Sequence, residues 1–330
     1  MPERTSVTQK SQLGAESTAG TSVAASKFLP SLAFSTSIDG SLTDVTTGAL
    51  KFTTGAVLGQ EWTSTKVSGV PSYDELTYLL SSLIKKVTPS TVDTSARTWT
   101  IAPTSDAEDT IQTYTIEQGS SVRAHKSVYN FMTDMTLKGD RKNALDVSGT
   151  FLGKQFTDGI TLTASPTTVG SQVMMMPGEV SIYADTTSAG LGTTKLARVM
   201  SWELAMSNVR APIWVVDAAE SSWSVPVETA IDMSLKMTLE ADATGMALLT
   251  SMRAGTKSFI RINATSPTSA GATTTKYSML WDLCAVVSEA PKELKDVDGV
   301  YAIDWTFKAV HDSTWGKATT VALTNKVTAL

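Results

Sequence analysis

Along most of the chain, apolar and polar residues alternate with a period of two. Tyr114-Thr115-Ile116-Glu117, residues 145–151 and residues 233–240 place an apolar side chain at every second position, the spacing of a strand with one buried face. Two segments break the alternation with helical spacing. In residues 71–87, Ser72 and Glu75 form a capping box, and Leu76, Leu79, Leu80, Leu83, Ile84 and Val87 recur at steps of three and four. This predicts an amphipathic helix with Lys85 and Lys86 at its C-terminal end and Pro89 as its stop. Residues 243–254 predict a shorter helix, with Met246, Leu249 and Met252 along one stripe, Arg253 in the last turn and Gly255 as a left-handed cap.

The order of these elements recurs. Strand 61–69, the first helix, and strands 98–102, 113–117, 128–137 and 145–153 are followed by strand 231–240, the second helix, and strands 258–264, 276–280, 281–288 and 300–310. The expected organisation is therefore a duplication joined near residues 161–170, where Thr, Ser, Pro and Gly concentrate. Residues 28–165 would form a first β domain and 166–330 a second. Residues 1–27 contain almost nothing large and apolar, so they are expected to be a flexible arm that orders only against a partner.

Composition narrows the chemistry. One cysteine excludes a disulfide framework and a structural zinc cluster, and a net charge of -5 disfavours a basic nucleic-acid clamp. No run is long and apolar enough for a membrane helix, and residues 1–27 lack the core of a secretory signal, so a protein kept in a reducing cytoplasm is expected. Catalytic motifs fall short. His311-Asp312-Ser313 has triad residue types, but sequence neighbours cannot adopt triad geometry. Cys284 lies in an apolar strand and reads as a buried thiol. Residues 296–299 lack the closing Glu of a calcium loop and read as a turn at Asp298-Gly299. Residues 190–195 lack the Lys and hydroxyl of a phosphate loop and read as a flexible hairpin tip. Met174-Met175-Met176 reads either as an adaptable contact patch or as a loop folded on the core. No enzyme activity, catalytic residue, cofactor or metal is expected.

The helix at 71–87, then Trp99-Thr100-Ile101-Ala102-Pro103, then residues 113–119 and 128–137, together with the closing stretch 290–312 around Asp298-Gly299, resemble the major tail tube proteins of long-tailed, non-contractile bacteriophages. That resemblance implies a mainly β fold: two tandem tail-tube-type β-sandwich or barrel domains, each flanked by one α-helix. It implies a virion protein, assembled in the host cytoplasm, whose sheets join those of neighbouring copies into stacked rings. DNA would pass through the lumen without specific binding, and tape measure, tail terminator and baseplate proteins would be partners. Six single domains close the family's usual ring, so three double ones would give a trimer with pseudo-sixfold symmetry; a hexamer is the alternative if the second half lies outside the wall. Two other classes fit a catalytically empty β protein. One is an adhesin or pilus-type subunit, which needs an export signal. The other is a carbohydrate-binding tail module, for which Trp202, Trp214, Trp223, Trp281, Trp305 and Trp315 would be the platforms.

Overall fold

A computed structural model describes residues 8–170, 172–272 and 274–330. The chain is mainly β. In the first half the alternating stretches form β1 (Lys10–Ala15), β2 (Leu32–Val45), β3 (Gly55–Gly69), helix α1 (Glu75–Leu83), β4 (Arg97–Ile101), β5 (Tyr114–Gly119), β6 (Ala124–Asp140), β7 (Asp146–Gly153) and β8 (Thr157–Ile160). The second half adds β9 (Val180–Asp185), β10 (Val199–Ser207), β11 (Asp232–Glu240), helix α2 (Ala243–Ala254), β12 (Ser258–Ser269), β13 (Lys276–Glu289), β14 (Leu294–Val297), β15 (Val300–Ala309) and β16 (Thr319–Asn325).

Eight strands build one antiparallel central sheet in the order β2–β3–β7–β6–β10–β11–β15–β14. Two smaller antiparallel sheets complete the core. One contains β1, β5, the first part of β6 and β8. The other contains β9, β12, the first part of β13, β16 and β4. Val67, Leu137, Leu204, Leu235 and Trp305 of the central sheet share one buried cluster with Tyr114, Ile116, Ile260 and Leu283 of the smaller ones. The long strands β6 and β13 each pass from a smaller sheet into the central one: β6 does so between Asn130 and Phe131, beside a β-bulge at residues 128–129, and β13 near Cys284. Each carries a further bulge just inside the central sheet, at Thr133 and at Ser288.

Helix α1 departs from the expected amphipathic pattern. It is shorter than 71–87, and all nine of its residues are buried. The Ser72–Glu75 capping box is present, with the Ser72 amide and hydroxyl donating to Glu75 Oε2 at 3.1 and 2.8 Å. The polar positions are covered because the end of the chain lies on them. Asn325 Nδ2 donates to the Tyr73 carbonyl (2.9 Å) and to Thr77 Oγ1 (2.7 Å), and the Lys326 amide donates to Asp74 Oδ1. Lys85 lies past the helix and pairs with Asp109 at 2.8 Å instead of serving the helix dipole. Helix α2 has the expected bounds, capped by Asp242, which accepts from the Gly245 amide, and by Gly255 at φ 61°. Leu248 is the most buried side chain of α2, with Met246, Leu249 and Met252 half-buried around it.

The expected flexible arm is corrected within residues 8–27; residues 1–7 lie outside the described residues. Strand β1 pairs with β5 over six residues, Leu13 is buried, and polar residues anchor the segment. The Glu16 carboxylate accepts from Thr113 Oγ1, Thr115 Oγ1 and the amides of Gly20 and Tyr129 at 2.8–3.0 Å. Polar composition does not mean disorder here, because each buried polar group has a partner. Strands expected separately at 276–280 and 281–288 are also corrected: they are the single strand β13.

Two outcomes test this packing. Leu80 is fully buried, so Leu80→Asp is expected to cost several kcal/mol and to abolish soluble, cooperatively melting protein. Removing residues 1–16 is expected to lower stability by about 3 kcal/mol or more, because Leu13 and the Glu16 hydrogen bonds are lost; a urea denaturation midpoint identical to full-length protein would refute the anchoring role of β1.

Candidate functional site: a concave polar sheet with two open edges

The residues that suggested catalysis are used structurally. The His311 carbonyl and the Asp312 carboxylate both accept from Lys257 Nζ, and Asp312 also accepts from the Trp315 amide, so these neighbours form a turn and not a triad. Cys284 is buried, and burial pushes its thiol pKa up, away from the reactive thiolate. Asp298 and Gly299 take positive φ angles of 54° and 82° and make the tight turn between β14 and β15. The loop at 190–195 is organised from within: the Asp185 carboxylate accepts from the amides of Gly192, Thr193 and Thr194, which would otherwise be free for an anion. Met175 is buried and Met176 exposed, so the methionine run is half core and half surface. Trp223, Trp281 and Trp305 are fully buried and Trp202 nearly so, which removes them as carbohydrate platforms; Trp214 is exposed. Among the described residues, no group of three or more His, Cys, Asp or Glu could hold a metal, and no helix is long and apolar enough to cross a membrane.

One face of the eight-stranded central sheet points away from the core. Because side chains alternate, Trp202, Leu204 and Met206 point into the core while Ser201, Glu203 and Ala205 point away. The outward face is rich in charges of both signs. Lys138 pairs with Glu203 (3.0 Å), Lys295 with Asp304 (2.6 Å) and Lys308 with Asp232 (3.4 Å). Burial alone would raise the Asp304 pKa, but hydrogen bonds from Lys295 and Thr238 outweigh it and hold the carboxyl below its usual range. The face is concave: residues 289–293 rise beside Lys138, Asp146, Lys236 and Asp304 around a cavity of 740 Å³, and Arg141 and Lys142 reach across to Asp298.

This sheet is built twice. In the first half, cross-strand pairing runs Thr36–Thr65–Phe151–Met132 across β2, β3, β7 and β6. In the second it runs Leu204–Leu235–Phe307–Val287 across β10, β11, β15 and β13. One residue further on, each corner strand carries its bulge, at Thr133 and at Ser288. The bulges match in chemistry. Thr133 Oγ1 donates to the Thr150 carbonyl and Ser288 Oγ to the Thr306 carbonyl, both at 3.2 Å. Thr150 Oγ1 lies 3.5 Å from Asp134 Oδ1, and Thr306 Oγ1 lies 3.5 Å from Glu289 Oε2. In sequence order, β1, β2, β3, α1, β5, β6, β7 and β8 correspond to β9, β10, β11, α2, β12, β13, β15 and β16. The element matching expected from sequence is thereby revised: β4 has no counterpart, and β5 and β6 match β12 and β13.

The two copies meet where β10 pairs with β6, with Leu204 opposite Leu137 and Glu203 opposite Lys138. At the two ends of the sheet the corresponding edges are open among the described residues: β2 pairs only with β3, and β14 only with β15. A scan against models of known protein families matches none, and a search of curated proteins finds no significant relative.

The charge pattern makes a prediction. Glu203 lies between Lys138 on one neighbouring strand and Lys236 on the other, so Glu203→Lys sets three like charges in a row. It is expected to destabilise the fold by about 1 kcal/mol at low ionic strength, and less in high salt. Equal urea midpoints for variant and parent at low salt would exclude this role.

Proposed function

We propose that this chain is a structural virion protein that joins head to tail into rings, and that the rings stack into a phage tail tube, the conduit for DNA ejection. The observation that carries this reading is the pair of open, corresponding edges on a sheet made of two equivalent halves. An unpaired strand edge invites another strand, and here each open edge has the shape of one that is already paired inside the chain. A heterologous contact of this kind closes into a ring when its rotation permits.

The register supports closure. Starting at Val287, the counterpart of Met132, and crossing four strands leads to Leu137, so each unit climbs five residues along β6, one of them taken up by the bulge. That is about one residue of stagger per strand, the ratio of an eight-stranded barrel of shear 8 with strands tilted by about 36°. Three chains of eight strands would close a barrel roughly 45 Å across at the backbone, wide enough for a DNA duplex. The outward polar face would line it, and its alternating Lys and acidic residues suit passage of a polyanion without tight binding. Three chains are favoured over six because each supplies two sectors. Tape measure, terminator and baseplate proteins are the partners this role requires.

The outer parts of β2 and β3 continue past the sheet as a two-stranded ribbon with Leu42, Val57 and Leu58 exposed and Phe52 at 82% exposure near its tip. A lone ribbon is marginally stable in water, and we assign it to contact between successive rings.

Electron microscopy of concentrated protein is expected to show rings or tubes, with three chains per ring by native mass spectrometry. Strictly monomeric protein under all salt conditions would refute the reading, and six chains per ring would refute the two-sector arrangement. Replacing residues 42–58 with a short turn is expected to preserve rings but shorten or abolish tubes in negative stain.

A further inference from the structure

The internal repeat does more than suggest self-association; it specifies which strands meet and in what register. We infer that the contact between chains is a copy of the β6–β10 contact within the chain, with the open edge of β2 pairing antiparallel to the open edge of β14 of a second copy, Ser35 opposite Lys295 and Thr36 opposite Leu294. This inference rests on the head-to-tail reading above and gives it residue-level content.

The assignment follows from two sets of pairings. On one side, Thr36 and Leu204 occupy the same place in their units, since each lies three strands from the residue that precedes the corner bulge. Ser35 therefore corresponds to Glu203, and Ile38 to Met206. On the other side, Leu137 pairs with Val147 on β7 and Leu294 pairs with Ile303 on β15. Leu137-Lys138 and Leu294-Lys295 are thus the same dipeptide in the same place. Inside the chain, Leu204 faces Leu137 and Glu203 faces Lys138.

Exposure identifies the open edges as unfinished. Leu137 is fully buried, whereas Leu294 is 53% exposed; Met206 is 1% exposed, whereas Ile38 is 57% exposed. In each pair the buried member lies at the internal junction and the exposed member lies at an open edge. Direct pairing of the two edges would cover both. The start of β2 is already held in place for this, because Gln118 Nε2 donates to the Phe34 carbonyl and Thr36 Oγ1 bonds Thr65 Oγ1. Few residues would need to be ordered on docking, which lowers its entropic cost.

Paired cysteines test the register. Residues directly opposite on antiparallel strands have Cα atoms within disulfide range, whereas diagonal neighbours lie at or beyond its limit. The native Cys284 is buried and does not compete. Ser35→Cys with Lys295→Cys is expected to give interchain disulfides on oxidation of assembled protein, at least about tenfold more than Ser35→Cys with Val297→Cys. Lys138→Cys with Glu203→Cys serves as the intrachain reference. Hydrogen exchange on unmodified protein is a second readout: amides of residues 32–38 and 292–297 should gain protection on assembly. Rings that form without protection at these edges, or that cross-link preferentially through the Val297 pair, would overturn the register while leaving the tube reading intact. Protein that never assembles would overturn both.

Discussion

The structure depends on how β6 and β13 change sheets. A strand that pairs on one side with a small sheet and then enters a larger one has to bend without leaving backbone groups unpaired. Strand β6 changes sheets beside the bulge at residues 128–129, where Tyr129 takes φ 57°, and β13 does so near Cys284, whose amide donates to the Ala318 carbonyl. Just inside the central sheet, at Thr133 and Ser288, the hydroxyl of an extra residue donates to a carbonyl of the neighbouring strand. On one side of each switch these strands pair with a small sheet and on the other with the central sheet, and the core side chains of all three sheets lie in one cluster.

From those corners, the two faces of the central sheet follow. The inner face carries Leu, Met, Phe and Trp in alternation and is covered by the small sheets; the outer face carries charged and hydroxyl side chains and is concave. The surface ion pairs across it are individually weak. Their contribution is one of balance: a face this size made of one sign of charge would repel itself or hold a counter-ligand tightly. Paired charges of both signs weaken both tendencies, as the proposed role of a conduit would require.

Much of the fold was legible from sequence because local chemistry and global structure agree. Alternation marked the strands, Ser72 with Glu75 marked the first helix start, and the Gly255 cap marked the end of the second. The failures share a cause, which is that burial depended on a partner distant in sequence. Residues 10–16 look too polar to fold, yet β5 supplies their partners. The first helix looks two-sided, yet Asn325 and Lys326 cover its polar side. Strand β13 looks like two strands because its apolar run lies between two sheets and has no exposed face to keep the period. The internal repeat was visible only as an order of elements; the matched positions Lys66 and Lys236, Thr150 and Thr306, and Phe151 and Phe307 are too sparse to align without the pairing. The open edges had no sequence signature at all, since an unpaired edge is a property of the assembled sheet.

The copies also differ in a way that has consequences. After α1 the chain makes β4, which crosses to the second half and pairs with β16, and Trp99 Nε1 donates to the Val327 carbonyl. After α2 the chain runs directly into β12, so the second half has no strand to extend toward the next copy. The junction inside the chain is therefore held by two sheets and a buried helix, whereas a junction between chains would be held by the central sheet and whatever the exposed ribbon contacts. If chains join as proposed, this single insertion would make the seam between chains weaker than the seam within one. On the proposed assembly, association between chains would then depend on concentration.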